Sequence, residues 1–302
     1  MPRKIFFSLI FFILVVFLLA FYWLIPFNEV DFGFKEGNYD FAIENSSTRM
    51  QFYQNMRFPS SNISYRLDNC PSGKKDDMQR TFDIISNKTL LSFYNVENDE
   101  EIYVICDSRN KIEEGLFIAG EGGPTNITKT SNFNVIKKGT ITLIKESKCQ
   151  NPNIAIHELL HVLGFEHSSN PNNIMYNFSS CGQEISQDII ETINKLYSTQ
   201  SHPDLSIGNV SAVMHGKYLD ANLTIMNDGL KDSGNFTLQI YADNESVKKF
   251  DVEKLEIGYG KKIILRNIFV FQINTKELKF VIDYSQEEID RKNNWIILNV
   301  KK

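Results

Sequence analysis

Residues 157–167 read HELLHVLGFEH and hold three of the chain's five histidines. His157 and His161 stand one helical turn apart, so on a helix both imidazoles leave one face and can share a metal ion. Glu158 lies beside them, where its carboxylate can face a metal-bound water without taking a coordination position, as a general base must. If the helix ran on past Gly164, His167 would sit about 240° around from His161 and about 9 Å further along. A glycine free to turn left-handed can instead end the helix and bring His167 back to the first two ligands. Three nitrogen ligands and one open position describe a catalytic zinc site. A helix that merely contains these residues would need five matches at fixed spacing, a coincidence expected about once in 10⁵ such chains.

This run resembles the extended zinc motif His-Glu-x-x-His-x-x-Gly-x-x-His of the metzincin metalloproteases. That family sets a methionine turn under the metal, and NNIMY, residues 172–176, offers Met175 shortly after His167; a lone methionine otherwise serves as core filler. The order strand, helix, strands, zinc helix, methionine turn, helix is similar to the matrixin branch over residues 57–200. The resemblance implies a zinc metalloendopeptidase in which His157, His161 and His167 hold one Zn²⁺, Glu158 is the general base, and the substrate is a protein or peptide. It also suggests that GLFIAGEGG, residues 115–123, lies along the cleft as the strand that pairs with an extended substrate. Asn177 stands where astacin-like relatives place a zinc-binding tyrosine, so no fifth ligand is assigned. The remaining histidines, His202 and His215, fall outside the unit and argue against a second, structural zinc. No Pro-Arg-Cys-Gly segment precedes the unit, and Cys70 in DNCPSG does not replace it, so latency through a cysteine is not expected.

The elements that must position these residues can be read around them. ISYRL (63–67) alternates as a strand, and DDMQRTFDIISNK (76–88) carries Met78, Phe82 and Ile85 at helical spacing. LSFYNV (91–96), EIYVIC (101–106), GLFIAG (115–120) and GTITLIK (139–145) read as strands, and ISQDIIETINKLY (185–197) as an amphipathic helix. The expectation is an α/β (α+β) catalytic unit with a mixed sheet. From residue 203 to 302 seven strand patterns recur: DLSIGNVSAV, YLDANLTIM, NFTLQIYA, VKKFDV, KIILRNIFVF, LKFVIDY and WIILNV. Asn227-Asp228-Gly229 and Ser233-Gly234 mark turns, and the whole predicts an all-β immunoglobulin-like sandwich. PDLSIGNV, LTIMNDG and IDRKNNW resemble the CARDB domain of prokaryotic surface proteins. Acidic and asparagine residues near 283–294 are of a type that binds Ca²⁺, but a solvated turn is the preferred reading and nothing further supports calcium.

Cys70, Cys106, Cys149 and Cys181 are even in number and show no Cys-x-x-Cys spacing, which favours two disulfides in an oxidising compartment over a metal site. Sequence alone allows three pairings. On the matrixin-like reading, Cys149 with Cys181 would clamp the zinc helix to the methionine turn, leaving Cys70 with Cys106. Residues 5–25, IFFSLIFFILVVFLLAFYWLI, hold no charge and would span roughly 30 Å as a helix. Arg3 and Lys4 precede this run and Glu29 and Asp31 follow it. Residues 1–25 are therefore expected to be a transmembrane signal anchor with the rest of the chain outside, and secretion after signal cleavage is the alternative. Tyr22 and Trp23 suit an interface. Residues 26–56 show no sustained period and read as a linker or stalk. Asn-x-Ser/Thr triplets at Asn45, Asn62, Asn87, Asn126, Asn177, Asn209, Asn222, Asn235 and Asn244 permit glycosylation of a surface protein. With a net charge of −5 and no basic cluster, nothing suggests a nucleic-acid partner. The competing function is a surface adhesion or binding protein with an idle metzincin-like unit, which zinc content and chelator-sensitive cleavage would separate from a protease.

Overall fold

Parallel strands need crossovers, and the chain from Met56 to Leu143 supplies them. The computed structural model describes residues 3–24, 29–37, 50–109, 111–113, 116–272 and 274–301. An N-terminal helix, α1 (Arg3–Leu24), is followed by a strand, β1 (Glu29–Gly37). The first unit then runs β2 (Met56–Arg57), β3 (Asn62–Asp68), α2 (Ser72–Lys88), β4 (Ser92–Asn95), β5 (Ile102–Cys106), β6 (Lys111–Glu113), β7 (Leu116–Ile118), β8 (Gly120–Lys129), β9 (Asn134–Leu143), α3 (Asn153–Val162) and α4 (Gln187–Tyr197). Its sheet has the order β2-β9-β5-β3-β4 with parallel pairings, and β8 adds to β9 antiparallel. Met78, Phe82 and Ile85 of α2 are buried as their spacing predicts, in one core with Leu159, Leu160 and Val162 of α3 and Ile189, Ile193 and Leu196 of α4.

The strand expected over 115–120 is divided. Residues 116–118 form β7, which pairs with β6 as a separate hairpin. The strand beside α3 is β8, whose GEGGPTNITK shows no apolar alternation because it meets the helix with its glycines.

The seven C-terminal strands form as read: β10 (Leu205–His215), β11 (Tyr218–Asn227), β12 (Phe236–Ala242), β13 (Glu245–Val252), β14 (Gly260–Phe269), β15 (Glu277–Asp283) and β16 (Trp295–Val300). Alternation of buried residues with half-buried or exposed ones in β11 and β12 places one face on the core. Asp243 and Asn244, at φ 45° and 70°, make the two-residue turn between β12 and β13. An eighth strand joins them. β1 pairs antiparallel with both β10 and β16, linking β13-β12-β15-β16 to β10-β11-β14 in one continuous sheet whose halves bury a common core, with Phe32 among its residues.

The linker expected over 26–56 is accordingly corrected at both ends. Residues 29–37 belong to the sandwich, and Met50 to Met56 pack on the first unit, where Phe52 N–H donates to Gly164 C=O (2.9 Å) and Glu166 N–H to Met50 C=O (2.9 Å). Residues 38–49, with the triplet at Asn45, lie outside the described residues, as do the side chains of Tyr22 and Trp23. The side chains of α1 are described over residues 7–20, and among the described residues no helix is long and apolar enough to cross a membrane.

The two units share a small buried core of Phe133 and Val135 from the first with Leu230 and Ile257 from the second. Beside it Ser131 N–H and Oγ–H both donate to Asp228 Oδ1 (3.0 and 2.8 Å), while Ser206 Oγ–H donates to Asp228 Oδ2 (2.9 Å).

Candidate metal centre

Helix α3 ends where Gly164 turns. Gly164 has φ 95°, its N–H donates to His161 C=O (2.9 Å), and Phe165 N–H donates to Leu160 C=O (3.0 Å). These two bonds are the Schellman closure of a helix, which needs a left-handed residue at this position. The chain then reverses, and the imidazoles of His157, His161 and His167 meet. Their Nε2 atoms lie 3.0 Å (His157–His161), 3.1 Å (His161–His167) and 3.3 Å (His157–His167) apart.

Three imidazole nitrogens cannot all bond one another through protons, since each neutral ring has one donor. Two of the rings have spent theirs elsewhere. His157 Nδ1–H donates to Ile174 C=O (2.7 Å) and His161 Nδ1–H to Phe165 C=O (2.8 Å), which leaves both Nε2 lone pairs pointing at the shared centre. A zinc ion about 2.0–2.1 Å from each Nε2 fits a triangle of this size. These three residues are the group among the described residues whose donor atoms converge closely enough to hold a metal. Burial lowers the pKa of His157, and burial together with His157 lowers that of His161 to about 4, so both rings are neutral and ready to ligate at physiological pH.

Glu158 follows His157 on α3 and is buried against β8. A Cβ on Gly120 would lie 2.8 Å from Glu158 Cγ, and one on Gly122 would lie 2.3 Å from the Glu158 backbone oxygen. The helix can approach the strand this closely only because both positions lack a side chain. Burial pushes the Glu158 carboxyl up to about 8, and the nearby charge of Glu121 adds to the shift. A cation in the adjoining histidine centre opposes both effects.

Met175 is buried in the core under this loop. Its turn closes with Tyr176 N–H donating to Asn173 C=O (3.0 Å), Met175 N–H to Asn173 Oδ1 (2.8 Å) and Ser168 N–H to Met175 C=O (2.8 Å). The turn thus presents the Ile174 carbonyl to His157. Disulfides join Cys149 to Cys181 and Cys70 to Cys106. The first encloses the histidines and Met175, and Asn153 Nδ2–H donating to Ser180 C=O (2.7 Å) reinforces the same closure. A cavity of about 340 Å³ opens beside His167, lined by Met50, Phe165, Met175 and Asp188 among others.

Several contributors escape a motif search. Gly120 and Gly122 look like loop glycines in the sequence; their i, i+2 spacing on one strand face was the available signal. Phe52 stacks on His161 with ring centroids 5.9 Å apart, and Asn173 organises the methionine turn; neither carries a sequence signature. His202 and His215 lie away from the centre, in ion pairs with Glu287 (3.5 Å) and Glu29 (3.2 Å) when protonated.

The histidine triad at a Schellman-terminated helix, with a buried glutamate beside it and the Met175 turn beneath, is an arrangement that could hold a metal ion. Residues 57–198 match the matrixin family model and residues 202–297 match the CARDB model. The two matches follow one another along the chain, a matrixin-like unit and then a CARDB-like one. The matrixin match supports a metalloprotease domain with zinc as its metal and a protein or peptide as substrate, and the two disulfides suit an extracellular environment. No curated protein matches the chain.

Proposed function

We propose that this protein is a membrane-anchored extracellular zinc endopeptidase in which His157, His161 and His167 hold one zinc and Glu158 is the general base. The observation that carries this reading is the convergence of three Nε2 atoms within 3.0–3.3 Å, with the Nδ1–H groups of His157 and His161 bonded to carbonyls. Bound there, zinc supplies Lewis acidity, lowering the pKa of a coordinated water toward about 7 and polarising a carbonyl. Glu158 accepts the proton of the attacking water on a carboxylate oxygen and delivers it to the nitrogen of the leaving amine. Burial against Gly120 and Gly122 keeps bulk water from that carboxylate, so its proton goes to the substrate.

The peptide lies along β8. Among the described strands β8 pairs with β9 alone, so its outer edge offers backbone donors and acceptors to an extended chain. Met175 and Gly164 act as positioning residues, one supporting the ligands from below and the other setting the path of His167. Anchoring rests on the uncharged run of residues 5–25 and on the charge asymmetry around it.

The test is cleavage of a broad peptide library by wild type and Glu158→Gln, with zinc content measured in both. Loss of activity by about 10²–10⁴-fold with zinc retained is expected, and a chelator should abolish wild-type cleavage. Equal cleavage by the two proteins would reject the assignment. Zinc-loaded wild type that cleaves nothing would favour the adhesion alternative.

A further inference from the structure

The pairing register brings three features to one end of the sandwich. Glu29 at the start of β1 pairs with His215, His215 pairs with Tyr218, and Tyr218 pairs with Phe269. That end carries exposed aromatic side chains: Tyr218 is 48%, Phe269 52% and Phe271 79% exposed. They form a built platform. The rings of Tyr218 and Phe269 lie 5.8 Å apart, and Lys217 Nζ sits 5.5 Å from the centre of the Phe271 ring. Val270 is fully buried between the two phenylalanines, and its N–H donates to Lys217 C=O (2.8 Å). Two acidic groups at this end have partners, Glu29 at 3.2 Å from His215 and Asp220 at 3.8 Å from Arg266.

Helix α1 ends at Leu24 and β1 begins at Glu29, five positions later. Five extended residues reach at most about 17 Å, so the apolar helix must finish close to this same end. The opposite end belongs to the protease. Leu205 begins β10 shortly after α4 ends at Tyr197, and Phe133, Val135, Leu230 and Ile257 lock the two units together there.

We propose that the Tyr218, Phe269 and Phe271 end of the sandwich rests on the lipid bilayer that holds α1. The aromatic rings sit at headgroup depth, where amphipathic and aromatic side chains concentrate, and Lys217 extends its ammonium to the lipid phosphates. The sandwich then acts as a rigid pedestal. β10 has eleven residues at about 3.3 Å each, which holds the protease roughly 35 Å from the membrane surface and sets the reach at which substrates are cut.

This inference rests on the anchored reading above, and one experiment separates the two. The full chain is reconstituted in phosphatidylcholine vesicles with a photo-crosslinking phenylalanine analogue in place of Phe271, Tyr218 or Tyr259. Tyr259 is the control, 62% exposed at the other end of the sheet, next to Gly260, which pairs with Met226. Expected are chains that float with the vesicles and give lipid adducts from positions 271 and 218, with none above the unirradiated background from 259. Floating chains with no adduct at 271 and 218, or with equal adducts at 259, would overturn the pedestal and leave the anchor standing. Chains that do not float would overturn both.

Discussion

Substituting Gly122 by alanine adds a single methyl group, yet it should disable the enzyme. A Cβ there lies 2.3 Å from the Glu158 carbonyl oxygen and 2.9 Å from its carbonyl carbon and Cα. Carbon–oxygen contacts in proteins settle at roughly 3.3–3.6 Å, so strand and helix must part by about 1 Å. The atoms met are backbone, and no rotamer change relieves the clash. Overpacking of this kind costs about 1–3 kcal/mol, which for a domain of this size lowers Tm by roughly 2–12 °C. Catalysis should suffer more, because a 1 Å misplacement of reacting groups costs on the order of 10²-fold. Zinc should stay, since His157 and His161 ride on the same helix and move with it. Gly123→Ala is the control: nothing lies within 4 Å of its Cβ, and a change within about 0.5 kcal/mol is expected. Gly120→Ala meets the Glu158 side chain instead, at 2.8–3.0 Å, and should lower kcat with less effect on Tm. The assay is kcat/KM on a peptide substrate beside thermal unfolding and zinc content. A Gly122→Ala protein as fast as wild type would refute the close-approach reasoning.

Gly164→Ala forces a side chain onto a residue at φ 95° with Met56 Cβ and Sδ only 2.9 Å away; a loss of about 1–3 kcal/mol and weaker zinc retention through His167 should appear in thermal unfolding and metal competition. Replacing Cys149 and Cys181 together by serine opens a bridge spanning 32 residues and should cost about 2–4 kcal/mol, read as a lower urea midpoint; an unchanged midpoint would remove the clamp's role. In the sandwich, burial pushes the Asp204 carboxyl up to about 6 and that of Glu288 to about 7. Both folded values exceed the unfolded ones, so the associated stability is complete below about pH 4 and is lost as pH rises through 6 to 7. Wild type should therefore gain roughly 2–4 kcal/mol at pH 5 relative to pH 8 over an Asp204→Asn/Glu288→Gln variant, and equal pH slopes for the two would contradict it.

What the sequence made legible follows from the range of the physics behind each element. HELLHVLGFEH is local chemistry with fixed spacing, and the structure brings its three histidines together at a helix that ends at Gly164. Helices α2 and α4 and the sandwich strands β11, β12 and β15 carry one apolar face each, so their periods survive in the sequence. β8 does not, because one of its faces is glycine pressed against the helix carrying Glu158, and glycine registers as a turn. β1 carries the same period, with Val30, Phe32 and Phe34 alternating with Asp31, Gly33 and Lys35, but the run is short and stands apart from the other sandwich strands, so the period does not reveal that it joins β10 and β16. The segment from Met50 to Met56 was equally silent, since its hold on Gly164 and Glu166 runs through backbone groups that every residue has.

The hidden strand changes what the C-terminal domain is. If the sandwich began at residue 203, it would be a module appended to a protease, separable by a cut in the short connection near His202. With β1 between β10 and β16, the sandwich begins before the protease and finishes after it, and the catalytic unit is an insertion between two neighbouring strands of one sheet. The buried contact of Phe133 and Val135 with Leu230 and Ile257 then closes the insertion at its base. Two of the matrixin unit's own strands, β8 and β9, lead into that contact, and β8 is also the strand whose glycines admit Glu158. Asp228 and Leu230 of the sandwich thus meet the matrixin-like unit at the loop between β8 and β9, so the sandwich packs against the same hairpin whose glycines admit Glu158.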